Sequence, residues 1–188
     1  EYFYILLCGA GAGFSVQSHH IAKLPNIQQR TKQAKGYIVE DSIEGWASAL
    51  DVLMSSYFVG GGKYPEYEGR RVFFDLTNIR PKGAKVNNTS NTTPGVMVFA
   101  EKYSHTTLST QQDNRRGALM LVLNIGHPDI IDFITTKLDL NKVNGANISI
   151  ALKDDFMLAV KNNQKWTMRF ETPYEKIEKT IRAQDLLQ

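Results

Sequence analysis

Hydrophobic and polar positions follow one another along this chain in blocks whose period shifts between helical and strand-like. Residues 2–8, Tyr-Phe-Tyr-Ile-Leu-Leu-Cys, are apolar and predict a helix. Gly9, Gly11 and Gly13 then predict close backbone packing in a crowded core, with a short strand at Phe14-Ser15-Val16. Residues 26–36 are polar and predict a surface connection. The clearest helix start comes next: Asp41 or Ser42 can cap, Glu44 stands in the first turn, and Ile43, Trp46, Ala47, Leu50, Leu53 and Met54 recur at helical spacing. Gly60-Gly61-Gly62 stops that helix and 65–69 predicts a turn. Val72-Phe73-Phe74 predicts a buried strand. A helix over 96–108 should turn Val96, Phe99, Ala100, Tyr103 and Leu108 inward, and 118–123 (Ala-Leu-Met-Leu-Val-Leu) predicts another buried strand. His127-Pro128-Asp129 should open a helix with Ile130, Ile131, Phe133 and Ile134 inward. Further on, 146–152 predicts a strand, Asp154-Asp155 a helix carrying Phe156, Met157 and Val160, 166–170 a strand and 174–187 a helix. Repeated strand–helix alternation implies an α/β fold with mainly parallel pairing.

Two stretches break the pattern. Residues 87–95 hold Asn, Thr, Ser, Pro and Gly, with no apolar side chain, and predict an exposed loop. Residues 111–116, Gln-Gln-Asp-Asn-Arg-Arg, join a helix to a strand. Amides, hydroxyls and arginines hung on a short α/β frame suit a ligand with phosphates to neutralise and a base edge to read. Arg80, just past the 72–74 strand and before Pro81, is either a strand-end salt bridge or a phosphate clamp. Arg115 and Arg116 are either solvated surface or ligand contacts.

Composition narrows the classes without choosing among them. The chain has 188 residues, 42% of them hydrophobic and 22% charged, and a formal net charge of +3, which is ordinary for a soluble globular protein. That charge suits an anionic small ligand and gives no case for a nucleic-acid face. No apolar run approaches a membrane span. A single cysteine excludes an internal disulfide and a cysteine-built zinc site; Cys8 is expected to be a buried core thiol. His19-His20 has no further ligand at metal spacing, His127 is expected to be structural, and Asp154-Asp155 lacks a partner base or nucleophile. Sequons at Asn87, Asn88, Asn91 and Asn147 are expected to be chance matches in a cytoplasmic protein.

Seven blocks in order carry a family resemblance. They are 9–17 (Gly-Ala-Gly-Ala-Gly-Phe-Ser-Val-Gln), Lys23-Leu24-Pro25, 39–47 (Val-Glu-Asp-Ser-Ile-Glu-Gly-Trp-Ala), 78–84 (Asn-Ile-Arg-Pro-Lys-Gly-Ala), 115–120 (Arg-Arg-Gly-Ala-Leu-Met), 126–134 (Gly-His-Pro-Asp-Ile-Ile-Asp-Phe-Ile), and Asn147-Ile148-Ser149-Ile150 followed by Asp155-Phe156-Met157. Together they resemble the catalytic chain of ribonucleotide reductases, most closely the adenosylcobalamin-dependent (class II) branch in its monomeric triphosphate-reducing form.

The resemblance implies the first half of a ten-stranded α/β barrel. Residues 1–17 would form a barrel strand and its preceding helix, 18–70 an inserted or effector-site helical segment, and 71–188 the first-half strands with two effector loops. It implies a deoxynucleoside triphosphate effector at Asp41, Ser42, Ile43, Arg80, Lys82, Lys85 and Asn91. It also implies a loop between effector and substrate at Gln111, Gln112, Asp113, Asn114, Arg115, Arg116 and Gly117. Gln112 and Asp113 stand where the family pattern has glycines. Adenosylcobalamin would generate a thiyl radical, and thioredoxin or a similar reductant would restore the thiols. The ribonucleotide substrate would be reduced by cysteines outside this internal piece, in an enzyme that is a monomer or homodimer. A non-catalytic nucleotide-binding module and a class I large subunit remain the alternatives.

Overall fold

The computed structural model describes residues 2–86, 90–109, 119–139 and 141–187. They fall into two compact units, Glu1–Phe74 and Asp75–Gln188.

The first unit opens with the short helices α1 (Tyr2–Leu7) and α2 (Ser18–Ile21), followed by strands β1 (Asn26–Ile27) and β2 (Lys32–Ile38). Helix α3 (Ile43–Tyr57), strand β3 (Phe58–Val59) and strand β4 (Arg70–Asp75) complete it. β1 pairs antiparallel with β3, and β2 neighbours β4. Gly36 is required where β2 meets β4, since a Cβ there would come within 2.6 Å of the Phe73 ring. Ser42 caps α3, its Oγ accepting from the Gly45 amide at 2.8 Å.

The helix faces inward through Gly45, Ala49, Val52, Leu53, Ser55 and Ser56. Its buried stripe is therefore rotated from the expected one: Ile43 is 44% exposed, and of the predicted positions only Leu53 is fully buried. Gly45 explains the rotation, for the helix lies so close to the Glu40 backbone that a Cβ would meet its carbonyl oxygen.

Three further expectations fail here. Residues 14–16 form no strand, and the glycines before them meet nothing within 4 Å. Cys8 is exposed rather than buried. The polar stretch 26–36 contains strand residues of β1 and β2 rather than a plain connection.

The second unit contains α4 (Val96–Ser109), β5 (Leu119–Asn124), α5 (Ile130–Thr135), β6 (Ala146–Ala151), α6 (Asp154–Lys161), β7 (Lys165–Glu171), β8 (Lys176–Arg182) and α7 (Ala183–Leu187). β5 and β6 pair in parallel, from Leu119 opposite Ala146 to Asn124 opposite Ala151, which is the pairing that alternation predicts. Leu119, Leu121 and Leu123 point to one face of β5 and are buried with Phe99, Tyr103, Ile130, Phe133 and Phe156. Phe99 and Tyr103 stack at 4.1 Å between ring centroids. α4 approaches so closely that a Cβ at Gly145 would strike the Ser104 carbonyl oxygen. Leu108, Ile131 and Met157, expected inward, are 37%, 39% and 43% exposed; Ser104 and Thr107 take the inward positions of the last turns of α4.

The largest revision is at the end of the chain. Residues 176–182 form a strand and not a helix, paired antiparallel with β7. Cross-strand partners explain the choice: Phe170 lies opposite Ile177, Trp166 opposite Ile181, and Thr167 and Thr180 hydroxyls meet at 3.0 Å. Arg169 and Glu178 add an ion pair at 3.1 Å.

Candidate functional site

Arg80, Lys82, Lys85 and Asn91 all belong to one structure, a small hairpin that follows Ile79. Its ladder is made by Gly83 donating to the Thr93 carbonyl at 2.9 Å, Thr93 to Ala84 at 2.8 Å and Val86 to Asn91 at 2.9 Å. Lys85 and Thr92 form its antiparallel bridge. The stretch expected as a plain exposed loop therefore has a hydrogen-bonded base. Gly83 supplies the positive φ of 87° at the turn. Arg80 Nη1 donates to the Lys85 carbonyl at 3.0 Å, so the guanidinium is held against the hairpin. Lys82 and Lys85 are exposed. Three cations thus stand within six residues on a shaped backbone, an arrangement suited to binding phosphate.

Two buried polar side chains hold this turn in place. Asp129, 2% exposed, accepts from the Lys82 amide with both carboxylate oxygens, at 3.1 and 2.9 Å. It also accepts from the Val96 amide at 3.2 Å, satisfying the first turn of α4. One carboxylate joins the hairpin to a helix start. Gly95 is needed between them, since a Cβ there would lie 2.5 Å from the Asp129 oxygen and 2.6 Å from the Lys82 nitrogen.

His127, also buried, receives the Asp129 amide on Nδ1 at 3.1 Å. Nδ1 is then the acceptor, so the proton resides on Nε2, which donates to the Ile79 carbonyl at 2.8 Å. The expected structural role of His127 agrees with these bonds. The sequence reading placed Asp129 in a helix start and missed its larger task. The sequence shows only an acid beside Pro128, and its partners lie 33 and 47 residues away.

The β7–β8 hairpin braces the same region. Arg169 donates its amide to the Gly126 carbonyl at 2.8 Å, Trp166 Nε1 to Ile125 at 3.1 Å, and Lys179 Nζ to Pro128 at 2.9 Å. A Glu175 carboxylate oxygen accepts from the Lys85 amide.

Asp41, Ser42 and Ile43 lie in the first unit, at the start of α3. Ser42 is engaged as the cap, Asp41 is half-buried and Ile43 is exposed. Gln111, Gln112, Asp113, Asn114, Arg115, Arg116 and Gly117 lie outside the described residues.

Two of the cavities on the second unit have charged or polar linings beside the residues described above. One, about 460 Å³, is lined by Lys82, Glu101, Asp129, Asp132, Asp139 and Lys142 among others, so carboxylates outnumber cations. The other, about 260 Å³, is lined by Lys153, Arg169, Trp166 and Phe170, with Asn124 and Thr77, and by no carboxylate. No group of three or more His, Cys, Asp or Glu among the described residues is placed to hold a metal ion, and no helix among them is long and apolar enough to cross a membrane.

The barrel-domain model of the ribonucleotide reductases matches residues 72–185, the stretch that carries the hairpin, Asp129 and the parallel strands. The chain belongs to the ribonucleotide reductase family. Its α/β architecture with parallel pairing is that of part of the reductase barrel. Over 150 residues, 79% of the chain, it is 33% identical to a vitamin B12-dependent ribonucleoside-diphosphate reductase of Thermoplasma acidophilum. Over 127 residues, 66% of the chain, it is 31% identical to the protein of that name from Mycobacterium tuberculosis. A ribonucleoside-diphosphate reductase subunit alpha of Bacillus subtilis is 31% identical over 100 residues, 53% of the chain. The chain spans only 18%, 17% and 13% of these reductases respectively.

Proposed function

We propose that these residues form the regulatory first half of a reductase barrel, in an enzyme that converts ribonucleotides to 2′-deoxyribonucleotides by thiyl-radical chemistry. In this reading the turn at Arg80, Lys82 and Lys85 grips the phosphates of a deoxynucleoside triphosphate effector. Residues 111–117 relay the identity of its base to the substrate pocket. Asn91 stands on the same hairpin and completes its effector contacts, and 18–70 is the effector-site insertion. The observation that carries the reading is the braced cationic turn inside the family-matched stretch: its backbone is held by Asp129 and His127, and Lys82 and Lys85 stand exposed on it. Two sites joined by one responsive loop is the arrangement allostery requires.

Radical generation is assigned to adenosylcobalamin on the strength of the B12-dependent relatives. The residues at hand do not fit that group. Three cavities among the described residues measure about 460, 260 and 550 Å³, none of these three a hollow for a corrin with its nucleotide tail, and the single cysteine, Cys8, is exposed. Cofactor binding and the thiol chemistry, restored by thioredoxin or a similar reductant, therefore belong to other parts of the enzyme. The 188-residue chain alone should show no turnover.

Motifs point to a triphosphate substrate, whereas the relatives' names favour the diphosphate. Turnover of CTP against CDP by the whole enzyme decides between them. Its dependence on added adenosylcobalamin, rather than on a second subunit, separates this reading from a class I enzyme. In that enzyme Arg116→Ala should abolish effector-dependent substrate preference more than basal turnover; equal loss of both contradicts the loop assignment, and a full chain without reductase activity favours the binding-module alternative.

A further inference from the structure

The chain contains a single Asn-Gly step, Asn144-Gly145, at the entry to β6. That pair carries chemistry of its own. With no side chain on the second residue, the glycine amide nitrogen can reach the asparagine side chain and close a five-membered ring. Asn144 is exposed to water, whereas Val143, Gly145 and Ala146 around it are buried. Solvent therefore reaches the amide that would be attacked, and packing governs the nitrogen that would attack it.

Three hydrogen bonds hold that nitrogen in place. Gly145 donates its N–H to the Ser104 hydroxyl at 2.8 Å, and Ser104 is itself 2% exposed on the inward face of α4. Lys137, in a short 3-10 turn at Thr136–Leu138, donates from Nζ to the Val143 carbonyl at 2.6 Å and to the Ala146 carbonyl at 2.7 Å. One ammonium thus grips the backbone on both sides of the Asn-Gly step. The grip has something to restrain. Val143 has a φ of 49°, in the left-handed region where a branched side chain is strained. Such a conformation persists only while its surroundings enforce it.

We propose that Asn144 is a latent deamidation site, kept unreacted in the folded enzyme by Lys137 and Ser104. When this clamp opens, the Gly145 N–H loses its proton to solvent hydroxide and the nitrogen attacks Cγ of Asn144. The Cγ–Nδ2 bond breaks, and Nδ2 takes up a proton from water and leaves as ammonia. A succinimide remains. Water then adds to one of its two carbonyls and opens the ring to aspartate or isoaspartate; nothing is oxidised or reduced. Isoaspartate adds a backbone carbon where a Cβ on Gly145 would already strike the Ser104 carbonyl oxygen, so the product does not fit the native packing. The modification is one-way and marks molecules in which the entry to β6 has opened. It is independent of any reading of the nucleotide sites.

The test incubates the whole enzyme in mildly alkaline buffer and follows conversion at Asn144 by peptide mass spectrometry. Native enzyme should convert about a hundredfold more slowly than the same enzyme unfolded in urea, because reaction waits on local opening. Lys137→Met, which removes both carbonyl bonds, should speed native conversion about tenfold, and Ser104→Ala by a similar factor. Should Lys137→Met fail to fold, Ser104→Ala decides alone. Leu121→Ala weakens the core of the same unit without touching the clamp and should convert at the unmodified enzyme's rate. Acceleration in the two clamp variants with none in Leu121→Ala supports the proposal. Native conversion as fast as in urea, an unchanged rate in either folded clamp variant, or equal acceleration by Leu121→Ala overturns it.

Discussion

Residues 119–133 and residues 2–27 are both rich in large apolar side chains, and the two stretches treat them in opposite ways. In the first, Leu119, Leu121, Leu123, Ile125, Ile130 and Phe133 are all at 2% exposure or less. In the second no described residue is buried, and Phe14, Val16 and Leu24 are 75%, 72% and 62% exposed. Apolar content is similar, so it does not account for the difference. The buried stretch has a strand partner in β6, helix neighbours in α4 and α5, and polar groups that tie its loop to distant backbone. Residues 9–17 lie in no strand, and Phe14 meets the Tyr2 ring of α1 at 5.9 Å between centroids yet stays exposed. Burial follows from what the surrounding backbone can satisfy, and Asp129 and His127 are where that satisfaction is concentrated.

The comparison breaks most visibly at Asp129. Removing its carboxylate by Asp129→Ala leaves the Lys82 and Val96 amides without their partner, and should destabilise the chain by about 4 kcal/mol. The fall in urea midpoint at constant m reads this out. A loss under about 1 kcal/mol would mean that water replaces the carboxylate and that the brace is unimportant. Next in size is Leu121→Ala, which opens a cavity in the fully buried face of β5 and should cost about 3 kcal/mol in the same measurement. At the other end, Phe14→Ser should stay within about 0.5 kcal/mol, as an exposed position does. A large loss there would show that the two stretches are not different in kind.

Legibility in the sequence followed the range of the forces involved. β5 was readable because a continuous apolar run with a parallel partner has few alternatives, and the cap at Ser42 because its bond spans only three residues. β8 was not, because Ile177 and Ile181 are four apart, a spacing that fits a helix face as well as a strand face, and the Lys and Glu between them favour helices. Only the partner strand, with Trp166 and Phe170 opposite those isoleucines, decides the matter. The N-terminal glycines misled in the same way: Gly9, Gly11 and Gly13 signal backbone freedom, and freedom serves an open segment as well as a tight one.

At the candidate site, Arg80 was legible as a cation at a strand end, and Lys82 and Lys85 entered only through the family resemblance. Their shared hairpin, and its brace from Asp129, were not, since those bonds join residues 47 apart.

The claim on which the account turns is that Arg80, held against its own hairpin, binds the phosphates of a deoxynucleotide effector. Equilibrium binding of deoxynucleoside triphosphates to the whole enzyme, compared with its Arg80→Ala variant, tests it directly. Loss of a charge-assisted contact predicts a dissociation constant raised about tenfold to a hundredfold, with unchanged thermal stability. An unchanged dissociation constant in a folded variant contradicts the claim.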